Sequence, residues 1–184
     1  MGIPYQAAIR DYCPDAFVVY DKFHVIANYS KVIDKVRNQE FKKASSEDKA
    51  LLKGTKYLLL RNQGNLKEEQ KPKLEELLSA NKTINTVYAL KEQLQALWDN
   101  YTVPSFNKAI DQWCSLARES GISHLAKFAD SLEAHRPGLW HYCLYPISTA
   151  KLEANNVTIG LIRKRARGFR DTEYFMLKIR QALS

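Results

Sequence analysis

At 184 residues, 45% of them apolar, the chain can bury a real core and is not a disordered tail. Its 28 Lys and Arg against 20 Asp and Glu leave a formal charge of +8, which favours an anionic partner such as nucleic acid or an acidic surface. No apolar run approaches the roughly 20 residues of a membrane span and no signal-peptide pattern opens the sequence, so no membrane partner and a cytoplasmic location are expected.

In chain order, Ile3-Pro4-Tyr5 to Ile9 has the pattern of a short helix with Pro4 in its first turn, stopped by Cys13-Pro14-Asp15. Ala16-Phe17-Val18-Val19-Tyr20 then gives a short apolar run of the kind found in a strand buried on both faces. One strand cannot satisfy its own backbone groups, so partner strands are expected upstream of Met1. Asp21 and His24 follow directly, where open α/β sheets place their sites. The bland alternative is an Asp that caps the next helix and a His satisfied by a carbonyl.

From Val25 the pattern is helical. Val25 to Phe41 makes one helix, and Ser45 with Asp48 caps a second around Leu51 and Leu52. Tyr57-Leu58-Leu59-Leu60 is too short to decide. Asn65 with Glu68 predicts the cap of a helix through Leu74 and Leu77, kinked at Pro72. Ile84, Val87, Leu90, Leu94, Leu97 and Trp98 step by three and four, which predicts an amphipathic helix. Ser105 is expected to cap the next, with Phe106, Ile110, Trp113 and Leu116 inward, and Ile122 to Leu132 continue until Pro137-Gly138 breaks the pattern.

Trp98, Trp113 and Trp140 fall on apolar stripes and read as core anchors rather than base-stacking platforms. Cys13, Cys114 and Cys143 are an odd number without a CxxC pair, which fits reduced thiols. His135, His141 and Cys143 match no common zinc spacing. No GxGxxG or P-loop glycine pattern is present.

The last fifth carries the densest charge. Ser148 or Thr149 can cap a helix that places Glu153 near its first turn, where the helix dipole favours a carboxylate. Glu153, Asn156, Gly160 and Lys164 then share one face while Ile159, Ile162 and Ala166 turn to another. From residue 150 on, eight Lys or Arg stand against three acids, concentrated in Arg163-Lys164-Arg165-Ala166-Arg167-Gly168-Phe169-Arg170. This reads either as a phosphate-binding surface or as a solvated basic helix.

Four stretches in register, Tyr20-Asp21-Lys22-Phe23-His24-Val25, Lys53-Gly54-Thr55-Lys56-Tyr57-Leu58-Leu59-Leu60, Lys151-Leu152-Glu153 with Asn156, and Arg163 to Asp171, resemble the DDE transposases of bacterial insertion sequences, specifically the ISL-three family. The resemblance covers nearly the whole chain and corresponds to the carboxyl-terminal half of such an enzyme. It implies an α+β fold, mostly helical, with a partial RNase H-like core of few strands at residues 1–37. A large helical insertion would fill 38–145, and 146–184 would hold the glutamate-bearing helix and a basic carboxyl-terminal helix packing back on the core.

On that resemblance Glu153 takes the place of the metal-binding glutamate, and Asp21 and His24 match a DxxH signature that supports the active site, with metal ligation by Asp21 a lesser alternative. Asn156, Arg163, Lys164, Arg165, Arg167 and Arg170 are implied DNA contacts. The implied cofactor is Mg2+ or Mn2+, and the implied partners are transposon ends, target DNA and further transposase subunits in a homo-oligomer. Family members carry an aspartate just before the position of Met1 and another far upstream. Met1 is therefore expected to be an internal start and the chain a carboxyl-terminal fragment inactive alone. Where the family has Gly after the glutamate, Ala154 stands here. Two other readings stay open: a non-catalytic helical module that binds nucleic acid or a transposase, and a metal hydrolase using Asp21, His24 and Glu153 alone.

Overall fold

The computed structural model describes residues 9, 11–99, 102–147 and 149–183. Its helices are α1 (Lys22–Lys43), α2 (Ser46–Leu52), α3 (Lys56–Leu60), α4 (Lys71–Ala80), α5 (Lys82–Ala96), α6 (Val103–Glu119), α7 (Ser123–Ala134), α8 (Arg136–Leu144), α9 (Ala150–Arg165) and α10 (Thr172–Leu183). The chain divides into two compact units, Met1–Pro146 and Ile147–Ser184. The expected helix at Ile3 to Ile9 lies outside the described residues except for Ile9.

The first unit is held by a continuous apolar core. Its centre is a triangle of rings, each edge-on to the next: Tyr29 on α1, Trp113 on α6 and Phe128 on α7, with centroids 5.1 to 5.8 Å apart. Tyr29 and Trp113 are almost fully buried, and both polar tips find carbonyls of α5. The Tyr29 hydroxyl donates to Val87 O and Trp113 Nε1 donates to Leu90 O, each at 2.8 Å. Four helices are thus tied by rings that add about 0.5–1.5 kcal/mol per pair beyond area burial and leave no donor unpaired.

The stripes read from the sequence pack inward as expected in α1, α5 and α7, but several starts differ. Pro72 lies in the first turn of α4 and begins that helix rather than kinking it, because its missing N–H has no partner to lose there. Ahead of it, Gln63–Asn65 and Glu68–Gln70 are separate 3-10 turns, so Asn65 and Glu68 do not make the cap. Thr102, not Ser105, caps α6 by accepting from Ser105 N, with Pro104 inside the first turn. Pro137 likewise opens α8 rather than ending helical structure. Lys56 to Leu60 is the helix α3.

The expected α+β architecture with a partial RNase H-like core is not found: the described residues contain no strand, and the fold they form is mostly helical. Ala16 to Tyr20, read as a buried strand, is irregular chain lying against α8. The physical reason is where its hydrogen bonds go. A ladder needs a neighbouring strand; here Tyr20 N donates to Gly138 O at 2.8 Å, and His141 Nδ1 donates to Val18 O at 2.8 Å. Gly138 makes that approach feasible, since a Cβ there would collide with the edge of the Tyr20 ring and stand 3.2 Å from Val18 O.

Candidate nucleic-acid interface

The second unit is a helical hairpin. In α9, Asn155, Thr158, Ile159 and Ile162 are half-buried, as are Phe175, Lys178 and Ile179 in α10, while Glu153, Asn156, Gly160 and Lys164 are exposed. These spacings put the polar set on the side of α9 opposite its packed stripe. Thr149 occupies the cap position in an α conformation without a capping bond. Its hydroxyl instead donates to Glu153 Oε1 at 3.0 Å, which holds the carboxylate at the helix head. Ser148, the alternative cap, lies outside the described residues.

The turn after α9 is a Schellman motif: Gly168 N donates to Arg163 O at 3.3 Å and Arg167 N to Lys164 O at 3.2 Å. Arg167 takes the left-handed position, φ 52°, followed by Gly168 at φ 107°. Phe169 closes the turn, its ring 4.8 Å from that of Phe175. Asp171 then caps α10 by accepting from Tyr174 N at 3.0 Å. Short-range rules therefore fix a compact bend from which Arg163, Lys164, Arg165, Arg167 and Arg170 all project into solvent. The first three lie in the last turn of α9, where they also complement the negative end of the helix dipole. Arg167 and Arg170 lie beyond that turn, so the dipole does not account for them.

Asp21 and His24 belong to the first unit. Asp21 is 4% exposed and caps α1, its Oδ1 accepting from Phe23 N at 2.7 Å. His24, three residues on, is exposed and borders a cleft between α1 and α7. Glu153 and Asn156 stand with the basic turn in the second unit. Among the described residues no three His, Cys, Asp or Glu side chains gather as a metal would require. Sequence reasoning missed Thr149 as the partner of Glu153 and missed Asn28 and His135 as neighbours of His24. Asn28 was findable, because it stands one turn beyond His24 on the same helix.

Comparison with known proteins adds what geometry does not. The ISL3 family model, described as Transposase, matches residues 1–179. A transposase for insertion sequence element IS1001 from Bordetella parapertussis is 40% identical over 186 residues, 99% of this chain and 46% of the relative. Transposases for insertion sequence element IS1557 from two strains of Mycobacterium tuberculosis are 25% identical over 188 residues, 90% of this chain and 42% of theirs. The chain thus spans about half the length of the curated relatives it matches. No solved structure matches it. No described helix is long and apolar enough to cross a membrane. The chain belongs to the ISL3 family of insertion-sequence transposases.

Proposed function

We propose that this chain is the part of a transposase that grips DNA through the basic turn between α9 and α10 and presents Glu153 at the opposite end of α9. The observation that carries the proposal is the exposure of all five cations of the turn on one short, well-capped bend. Each Lys or Arg that neutralises a phosphate releases condensed counterions, a gain that needs no particular base sequence. Guanidinium groups suit this role because their planar fork pairs two donors with phosphate oxygens.

In the whole enzyme, cutting at transposon ends and transfer of the 3′-hydroxyl strand to target DNA is the reaction this reading assigns. A bound pair of Mg2+ or Mn2+ ions would activate the attacking oxygen and stabilise the leaving one. The residues described here do not make such a centre unaided: hard cations want six or more oxygen ligands, and Glu153 is one exposed carboxylate. Its part is to offer an oxygen at the head of α9, held by the Thr149 hydroxyl. Asp21 acts by position, fixing where α1 begins and so where His24 stands.

Fluorescence anisotropy with a labelled duplex of arbitrary sequence tests the grip. Alanine at Arg163, Lys164, Arg165, Arg167 and Arg170 together is expected to weaken binding at least ~10-fold near 0.1 M salt. A control removing the same charge from exposed Lys31, Lys35, Lys42, Lys43 and Lys53 is expected to cost far less. Equal losses in the two variants would reduce the effect to net charge and defeat the proposal.

A further inference from the structure

We propose that the cleft between α1 and α7 receives a single unstacked nucleobase. The proposal rests on DNA being the partner of this chain, yet it concerns the first unit and not the basic turn. The cleft holds about 260 Å³ and is bordered by Tyr20, His24, Asn28 and His135 above a floor that includes Leu132 and Leu139. Both leucines are buried, 5% and 2% exposed. Drug-sized ligands occupy roughly 300 Å³ and upward, so a space of this size suits one ring system.

Its chemistry selects a base over a phosphate. Among the described residues no Lys or Arg lines the cleft, and its floor is apolar, which makes it a poor seat for an anion. Its rings are fixed: Tyr20 stands edge-on to His135 with centroids 5.2 Å apart, and its backbone is pinned to Gly138 O at 2.8 Å. The exposed imidazole of His24 stands at the rim, and every base has a face that can stack on such a ring.

Polar side chains from two elements line the cleft. His135 Nδ1 donates to Ser131 O at 2.7 Å, which leaves Nε2 of the neutral ring as an acceptor. On α1, Asn28 lines the cleft and its Oδ1 accepts from Lys31 Nζ at 2.9 Å, which makes its amide nitrogen the group to donate to a ligand. Between them they offer an acceptor for the amino group of adenine and a donor for one of its ring nitrogens. Extracting a base from a duplex costs least where it is already unpaired, so the cleft would favour DNA with an unpaired adenine.

Two measurements test this. Titration of the unaltered protein with deoxyadenosine, followed by imidazole NMR signals, is expected to move His24 and His135 while His124 and His141 stay in place. Shifts spread over all four histidines, or none, would overturn the proposal. In anisotropy, His24→Ala with Asn28→Ala is expected to lower affinity for a duplex carrying one unpaired adenine about 10-fold and to leave a fully paired duplex within about twofold. Equal affinities of wild type and variant for the unpaired site, or a parallel fall on both duplexes, would also overturn it. Failure of the wild type to bind any duplex, with the deoxyadenosine shifts intact, would defeat the DNA-gripping reading and leave the pocket standing.

Discussion

Arg167 sits in a backbone conformation that disfavours residues carrying a β-carbon, at φ 52°, in the position where helix ends most often carry Gly. The strain is roughly 1 kcal/mol or more. A side chain kept at that cost needs a use, and an exposed guanidinium beside four other cations supplies one. Arg167→Gly is expected to stabilise the turn by about 1 kcal/mol, read as a rise in the thermal unfolding temperature, while DNA affinity falls severalfold. A stabilised variant with unchanged affinity would mean that the side chain touches nothing.

Lys91 poses the opposite case, a charge kept inside. It is 1% exposed, with Nζ donating to Leu59 O at 2.9 Å and to Arg61 O, 2.9 Å from Glu92 Oε1 and 4.1 Å from the centroid of the Tyr88 ring. Burial lowers its pKa, and the Glu92 carboxylate works against that shift. It thereby satisfies carbonyls at the end of α3, where no further turn of helix supplies N–H partners. Lys91→Met is expected to cost about 3 kcal/mol in urea unfolding, since it strands those carbonyls and a carboxylate together. Nothing in a pattern of apolar spacing announces such a residue, because a lysine among leucines reads as the edge of the solvent face.

At the scale of elements, the helices were legible and the supposed strand was not. Periodicity found the inward faces of α1, α5 and α7, because burial of a stripe is what those helices are for. Ala16 to Tyr20 carries a strand's composition, but composition cannot say what lies beside it, and α8 took the place of a sheet. The signal that could have warned of this is Gly138, whose bare Cα lets Tyr20 in. Gly138→Ala is expected to destabilise the first unit by about 1–3 kcal/mol, checked by thermal unfolding, and to expose Phe17 to Tyr20 to proteolysis. In the second unit the sequence placed Glu153 in the first turn of a helix and the cations at its end, since local capping and charge clustering are short-range. The cleft beside His24 was hidden because α7 reaches it from over 100 residues away.

For the molecule as a whole, the core that locks the helices also sets its response to alkali. Burial pushes the Tyr88 hydroxyl up to about 12, helped by the charge of Glu92. Burial, with Glu133 adding to it, pushes the Cys114 thiol up to about 11. Folded values above the unfolded ones mean that the unfolded chain loses these protons first. Their stabilisation is complete below about pH 9 and is lost as pH climbs through 11 and 12. Lys91 acts in the other direction, its burial cost easing as pH rises. Urea midpoints measured between pH 8 and 11 are expected to fall, and Cys114→Ala to flatten that fall. The same burial keeps Cys114 from thiol reagents until the core opens, whereas exposed Cys13 is expected to react at once.

The central claim is that the bend between α9 and α10 meets DNA phosphates. The salt dependence of duplex binding tests it most directly, because each phosphate contact contributes about −0.9 to the slope of log K against log salt concentration. With the five cations of Arg163 to Arg170 replaced by alanine, the slope is expected to become shallower by roughly three or more. A slope unchanged by that replacement would contradict the account.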